Sequence, residues 1–369
     1  MINEPPHGEP RGTPGRNPQE LRSQLRGIHI PQMRDQSSKP LSVFGNIRRR
    51  AGMALHHGDR IWQVLTVGMG LAVLLLILGI GWSLWRDSAG ARSQLGLNFL
   101  LPTLNANWDP VAGNFQAWPF IYGTLITSAV AILLALPISL GIGIFLSELC
   151  PAWLRLPLGW MLELLAAIPS VVFGLWGIFV FLPQVVEPIG GFLGRTLGRL
   201  PLLGLFFKGP IPASGASSLA ASLILTIMIV PTISAVTRDV FQAIPRSQRE
   251  AAQALGATEW ETISQVLVPF GLSGILGAVI LGLGRALGET MAVTMVIGNS
   301  AGNTLSILRP GYTMSSIIAN EFAEAVSPLH SQALIEIGFL LFVITLALNL
   351  AARFLVWRVA RRAPQETRG

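Results

Sequence analysis

Six apolar runs, each long enough to cross a lipid bilayer, constrain this chain more than any other feature. They lie at 61–85, 119–146, 157–182, 217–237, 270–298 and 332–357. A membrane-spanning helix needs about 20 apolar residues, whereas a transmembrane β-barrel shows alternating segments of about ten residues, a pattern this sequence lacks. Only 12% of the 369 residues are charged, half the fraction of roughly 25% that is typical of soluble domains. The sequence therefore predicts an all-α polytopic membrane protein with six transmembrane helices, and it excludes a soluble enzyme.

The two ends of the chain differ from this apolar region. Residues 1–60 are polar, rich in Pro, Gly and Arg, and without periodicity, which predicts a disordered basic cytoplasmic tail. The run 61–85 is too long for the apolar part of a signal peptide and predicts an uncleaved first transmembrane helix. Residues 358–369 predict a short cytoplasmic C-terminal tail.

The positions of the basic residues predict the orientation of the chain. With the N-terminus in the cytoplasm, 19 of the 26 Lys and Arg residues lie in cytoplasmic segments and six in external ones. Because Lys- and Arg-rich loops stay on the cytoplasmic side, both termini are predicted to be cytoplasmic. The net charge of +7 then reflects membrane orientation, and no nucleic acid partner is expected. The external segment 183–216 predicts either a short interfacial amphipathic helix or a packed loop.

The cytoplasmic segment 238–269 carries a distinctive spacing. Glu250, Ala251 and Ala252 are followed by Gly256 and then by Pro269. This order predicts a short helix, a turn at the glycine and a second helix that leads into the membrane. Such a unit could fit a cleft in a cytosolic protein, or it could pack as an amphipathic helix on its own bundle.

The next apolar run contains two charged residues, Arg285 and Glu289. Charged side chains inside a membrane cost about 2.5–3.5 kcal/mol each, so they usually line a cavity or a transport path. Four residues apart on one membrane helix, the two side chains lie one turn from each other on the same face, where they can pair. A guanidinium presents a planar fork of donors that suits an oxyanion such as phosphate. From the residues alone, an oxyanion site and a structural ion pair remain equally open.

Several charged residues elsewhere have two interpretations. Four residues flank the stretch 250–256 and either contact a partner protein or form a solvated surface: Arg246, Arg249, Glu259 and Trp260. Glu163, near the inner end of the third run, is a candidate for a helix–helix hydrogen bond. Cys150 is the only cysteine, which excludes an intrachain disulfide and a cysteine metal cluster. The sequence contains no phosphate-binding loop of the Gly-x4-Gly-Lys type, so ATP hydrolysis by this chain is not expected.

The spacing in 238–269 resembles the EAA loop of ABC-importer permeases, with Val266 and Val268 in place of the family's usual Ile and Leu. This resemblance implies a type I ABC-importer permease bundle of the MetI-like kind, with its transmembrane domain at 119–357. It also implies that Glu250, Ala251, Ala252, Gly256 and Pro269 belong to the segment that docks onto a separate ATPase subunit. Any ATP and magnesium would then be bound by that ATPase, and this chain would bind no cofactor.

The stretch Gly-Arg-Ala-Leu-Gly-Glu-Thr-Met-Ala-Val at 284–293 resembles the PstC-type permeases of bacterial high-affinity phosphate importers, and the likeness extends over about 61–360. It implies a role in phosphate translocation for Arg285 and Glu289, and a location in the bacterial inner membrane. The implied partners are a PstA-type sister permease, a PstB-type ATPase dimer, a PstS-type external binding protein, membrane lipids and inorganic phosphate. The residues alone are equally compatible with molybdate or sulfate transport, or with a membrane regulator that reports phosphate supply.

Overall fold

The computed structural model describes residues 42–101, 108–201, 203–302 and 304–360, and these residues form an almost entirely helical protein. An isolated bridge between Asp109 and Asn114 is the one strand-like pairing among them. Six helices are long and apolar enough to cross a membrane. They are Trp62–Asp87, Trp118–Leu149, Ser170–Arg199, Ser218–Ala243, Glu259–Gly288 and Pro328–Arg358. The predicted all-α architecture with six spans is therefore confirmed.

Thirteen α-helices follow one another along the described chain. They are α1 Ser42–Asp87, α2 Ala89–Leu95, α3 Trp118–Ile144, α4 Ala152–Ala167, α5 Ser170–Trp176, α6 Glu187–Thr196, α7 Ser218–Ala243, α8 Arg246–Ala254, α9 Glu259–Glu261, α10 Val268–Gly288, α11 Met291–Val296, α12 Met314–Glu321 and α13 Pro328–Ala360. Wider π-helical turns at Phe145–Leu149, Gly177–Val186 and Thr262–Leu267 extend three of the spans. The chain divides into two units, and the described residues of the first, 42–73, form the beginning of α1.

Helix α7 is the centre of the larger unit. It begins at the cap residue Ser217, whose hydroxyl accepts the N–H of Ala220, and it packs against α3, α4 and α10. Its side chains Ile224, Ile229 and Ile233 are fully buried, because neighbouring helices surround it on several sides. A buried apolar helix of this kind supplies much of the packing free energy of the bundle.

Close helix approach depends on small residues at the α7–α10 contact. A Cβ at Gly282 of α10 would lie 2.6 Å from a methyl carbon of Ile233. Small residues at helix interfaces let backbones approach closely inside a membrane, where packing replaces the hydrophobic effect as the main attraction. Position 282 thus fixes the spacing between the central helix and the helix that carries Arg285.

Three predicted boundaries differ from the structure. The first helix begins at Ser42 rather than near 61, so the predicted tail 1–60 is helical from 42 onward. The third span is Ser170–Arg199 rather than 157–182, and it includes the start of the segment predicted to be external. The fifth candidate span ends at Gly288 rather than at 298. The predicted tail regions 1–41 and 361–369 lie outside the described residues.

Candidate functional site

The helix that carries Arg285 ends before it reaches Glu289. Helix α10 stops at Gly288, and Glu289 adopts an extended backbone with φ −68° and ψ 124°. The chain resumes as helix α11 at Met291. Among the described residues, neither Arg285 nor Glu289 takes part in an ion pair. The prediction that the two side chains pair on one helical face is therefore wrong, because the helix on which it depended is broken between them.

Polar groups close to this break satisfy the backbone that the broken helix leaves unpaired. The N–H of Ala292 donates to Glu289 Oε1 at 3.3 Å, so Glu289 caps the start of α11. The hydroxyl of Thr290 donates to the carbonyl of Gly288 at 3.1 Å. Ser315 of α12 donates to the carbonyl of Glu289 at 2.9 Å. Irregular backbone at membrane depth is tolerated where the protein covers it in this way.

A second break separates α4 from α5. Ile168 and Pro169 are extended, with ψ of 129° and 138°, as expected where a proline disfavours the helical conformation of the residue before it. Beyond this break α5 packs directly on α11, and a Cβ at Gly174 would lie 2.5 Å from the sulfur of Met295. Helices α5 and α11, which follow the two breaks, therefore pack together close to them.

Arg285 bridges the two breaks from α10. Its Nη1 donates to Thr232 Oγ1 of α7 at 3.3 Å, and its Nη2 donates to the carbonyl of Ala166 at 3.5 Å. Ala166 lies in the last turn of α4, where backbone carbonyls lack helical partners and favour a cation. Both hydrogen bonds are long and their acceptors are neutral, so a charged acceptor could replace them at little cost. The half-buried guanidinium can therefore bind an oxyanion.

The cytoplasmic segment 238–269, the candidate coupling segment, has the predicted order of helix, glycine turn and helix. Helix α8 ends at Ala254, and Gly256 has φ +88°, a conformation that glycine adopts without the strain of a Cβ. The N–H groups of Gly256 and Ala257 donate to the carbonyls of Gln253 and Ala252, which closes the end of α8. This part of the sequence-based prediction is confirmed.

The chain after the glycine turn is also well defined. Thr258 and Glu261 form a reciprocal capping box, and the next residues lead through a π-helical turn into α10. Pro269 is the second residue of α10, a position where its missing N–H costs nothing. The turn therefore connects α8 rigidly to the span that carries Arg285.

One face of the coupling segment is open to solvent. Glu250, Ala251 and Gly256 are exposed, Ala252 is half-buried, and Leu255 and Trp260 are 91% and 69% exposed. Large exposed apolar side chains beside small residues are typical of a protein-binding surface. Among the described residues, nothing packs over that face.

Arg249 lies on the opposite side of α8 and points into the subunit. Its guanidinium forms a bidentate ion pair with Glu148, with N–O distances of 2.9 and 2.8 Å. It also donates to the carbonyls of Phe241 and Ile244 at the end of α7, at 2.7 Å each. The hydrogen bond with Glu148 raises the pKa of Arg249 above its ordinary value, while desolvation acts in the opposite direction.

Sequence reasoning missed this anchor. The sequence predicts that Arg249 contacts a partner protein or is solvated. Its observed partner, Glu148, is 101 residues away in the chain, so no local spacing indicates the pair. Arg249 ties α8 to the ends of α3 and α7, whereas the exposed face of α8 remains available to a partner. The interhelical hydrogen bond predicted for Glu163 is present, since its carboxylate accepts from Arg238 at 3.5 Å.

Comparisons with known proteins identify clear relatives. Residues 139–363 match the family described as "Binding-protein-dependent transport system inner membrane component". A protein of Haemophilus influenzae named "Phosphate transport system permease protein PstC" is 45% identical over 311 residues, which cover 84% of this chain and 95% of that protein. The protein of the same name from Xylella fastidiosa is 42% identical over 299 residues, covering 81% of this chain and 90% of the relative.

The fold is similar to that of a solved ABC transporter. One chain of the "bacterial alginate ABC transporter in complex with alginate pentasaccharide-bound periplasmic protein" matches with a TM-score of 0.52 and 17% identity. The match covers 82% of this chain and 96% of that one. At this level of identity the likeness establishes the fold, which is that of an ABC-importer permease.

Proposed function

The chain belongs to the family of binding-protein-dependent transport system inner membrane components, as a permease of the PstC type, and we propose that it is the transmembrane subunit of an ATP-driven phosphate importer. It is a multi-pass inner membrane protein and a transport subunit rather than an enzyme. The observation that carries the proposal is the position of Arg285, which offers loosely engaged donors beside the two helix breaks. The names of the relatives favour phosphate over molybdate or sulfate.

Arg285 binds phosphate in transit. The anion exchanges its charge-assisted hydrogen bonds for the long bonds to Thr232 and Ala166, so the guanidinium gains stronger acceptors without leaving its place. Because α7 and α4 hold the side chain from two sides, the site changes geometry when these helices move. A transport site must bind weakly enough to release its substrate, and a single arginine meets that requirement.

Glu289 has a different task from the one that helical spacing predicted. One carboxylate oxygen caps α11 through the N–H of Ala292, which fixes the shape of the break. The carboxylate can also accept a hydrogen bond from a protonated phosphate, as a complement to Arg285. Glu289 thus shapes the passage and favours an anion that carries a proton.

The proposed transport function requires three protein partners. The face formed by Glu250, Ala251, Ala252 and Gly256 docks onto a PstB-type ATPase dimer, which binds ATP and magnesium. A PstA-type sister permease completes the passage, and a PstS-type binding protein delivers phosphate from outside. In this proposal both termini lie in the cytoplasm, which is supported by the excess of basic residues in the segments on that side.

Transport proceeds by alternating access. When the ATPase dimer closes on ATP, it carries α8 with it, and Pro269 and α10 transmit that movement to Arg285. The bundle exchanges an inward opening for an outward one, and each state exposes Arg285 to one side of the membrane. Membrane lipids surround the exposed apolar side chains of the outer helices.

Uptake of labelled phosphate by the reconstituted complex tests this function. Replacement of Arg285 by Gln should lower uptake at least about 100-fold, because two charge-assisted hydrogen bonds are lost, while subunit assembly and ATP binding persist. Arg353→Gln is the control, since Arg353 is an exposed arginine in the span α13. Unchanged uptake by Arg285→Gln would make Arg285 structural. Uptake of molybdate or sulfate instead of phosphate by the unmodified complex would contradict the substrate.

A further inference from the structure

Arg238 occupies the same interface as Arg285, further along it. It lies six residues after Thr232 on α7, which corresponds to about 9 Å along the helix axis. Arg285 reaches across to the carbonyl of Ala166 on α4, and Arg238 reaches across to Glu163 on the same helix. Two arginines therefore contact successive turns of α4, and the second is nearer the end of α7 at which the coupling helix begins.

Space for a ligand exists beside Arg238. A Cβ at Gly159 would lie 2.8 Å from Nη1 of Arg238, so the glycine makes room for the guanidinium. A cavity of about 390 Å³ adjoins it, with Arg155, Glu163 and Gln242 among its lining residues. Arg155 and Gln242 also line a second cavity of about 480 Å³ next to α8, which continues toward the surface of the coupling segment.

The ion pairs of Arg238 are of a kind that a ligand can displace. The side chain of Arg238 is only 16% exposed, but its partners Glu163 and Asp239 are 60% and 63% exposed. Exposed carboxylates are well solvated, and such pairs contribute little to stability. By contrast, Glu148, which holds Arg249, is 14% exposed. Arg238 thus keeps its donors inside the protein while its counter-ions can move into water.

We infer that Arg238 is a second phosphate-binding residue, which receives the anion after Arg285 releases it and before it reaches the cytoplasm. The inference rests on the proposed transport function and places a further step within it. Phosphate displaces Glu163 and Asp239 from the guanidinium. The two carboxylates then compete for Arg238 as the anion departs, so binding stays transient. No covalent bond forms or breaks in this step.

Uptake and internal inhibition in the complete reconstituted complex test the inference. Phosphate placed on the cytoplasmic side should inhibit forward uptake by occupying Arg238. In Arg238→Gln we expect uptake to fall about tenfold, the effect of losing one charged hydrogen bond, and the internal phosphate concentration for half-inhibition to rise. The matched variant Glu163→Gln with Asp239→Asn removes the same ion pairs and keeps the arginine. Half-inhibition should then need less phosphate than in the wild type, and uptake should fall less than in Arg238→Gln, because the anion still binds but leaves more slowly.

The two variants separate a binding role from a structural one. If both variants lose uptake equally, the ion pair rather than the arginine matters, and the inference fails. Normal uptake by Arg238→Gln also overturns the inference. So does internal phosphate that inhibits the wild type and both variants equally, or that inhibits none of them. If Arg238→Gln fails to assemble, Arg238→Met is measured instead, because Met keeps much of the side-chain length and removes the charge, and wild-type values for both readouts overturn the inference. The proposed function fails separately, when the unmodified complex takes up no phosphate or Arg285→Gln leaves uptake unchanged.

Discussion

The junction of the two helix breaks and the anchor of the coupling helix each centre on an arginine, but they use it in opposite ways. Arg285 at the junction makes two hydrogen bonds of 3.3 and 3.5 Å to neutral acceptors. Arg249 at the anchor makes four of 2.7 to 2.9 Å, two of them to a carboxylate. The first guanidinium remains available to a ligand, whereas the second is fully committed to the protein. The same residue type thus keeps weakly engaged donors in one region and ties helices together in the other.

The anchor explains how a surface helix can move the membrane helices. Arg249 joins α8 to Glu148 at the end of one span and to the last carbonyls of α7. A bidentate pair fixes direction as well as distance. A displacement of the exposed face of α8 is therefore passed on to α3 and α7 rather than absorbed at the turn. Since α7 also contacts Arg285, the two regions are connected through one helix.

Replacement of Arg249 by Ala should give the largest loss of stability and is the strongest test of the contrast between Arg249 and Arg285. It leaves the half-buried Glu148 carboxylate without its partner, which should destabilise the subunit by about 2–3 kcal/mol, less than for a fully buried pair. Thermal unfolding of the purified complex measures the change, and Arg246→Ala is the control on the same helix. Arg285→Gln should unfold at nearly the wild-type temperature. If Arg285→Gln were the more destabilised variant, the roles assigned to the two arginines would have to be exchanged.

The sequence predicted the spans and the coupling turn because both depend on local signals. The length of an apolar run indicates a span, and Gly256 indicates the turn independently of distant residues. The break at Glu289 escaped prediction because the stretch contains no proline and its periodicity continues. What stabilises the break includes Ser315, which is 26 residues distant. The third span was predicted too early in the chain, at 157–182, because the exposed apolar residues of α4 continue into α5. The apolar run therefore looks continuous across Pro169.

Substitution of Gly256 should have an effect of intermediate size on the coupling segment. Its φ of +88° costs an L-residue about 1–2 kcal/mol, so Gly256→Ala should weaken association with the ATPase about 5- to 30-fold. Among the described residues, no atom beyond the adjoining residues lies within 4 Å of the Cβ that alanine would add, so the effect would come from the backbone alone. Quantitative co-purification of the ATPase measures it.

Gly277→Ala provides the comparison, because that glycine also has open space around it but has helical φ. Association should be unchanged there. Equal loss in both variants would show that side-chain bulk, and not the turn, governs docking.

Glu289 offers the smallest and most selective test, since it asks whether the junction needs a charge or only an acceptor oxygen. Glu289→Ala removes the cap on α11, which costs about 1 kcal/mol, and should lower phosphate uptake about fivefold. Glu289→Gln keeps an oxygen that can accept the N–H of Ala292, so it should retain most of the uptake. If Gln is as damaging as Ala, the negative charge itself acts on the substrate. The junction would then resemble the coupling anchor in needing a carboxylate, and the contrast between the two regions would rest on Arg285 alone.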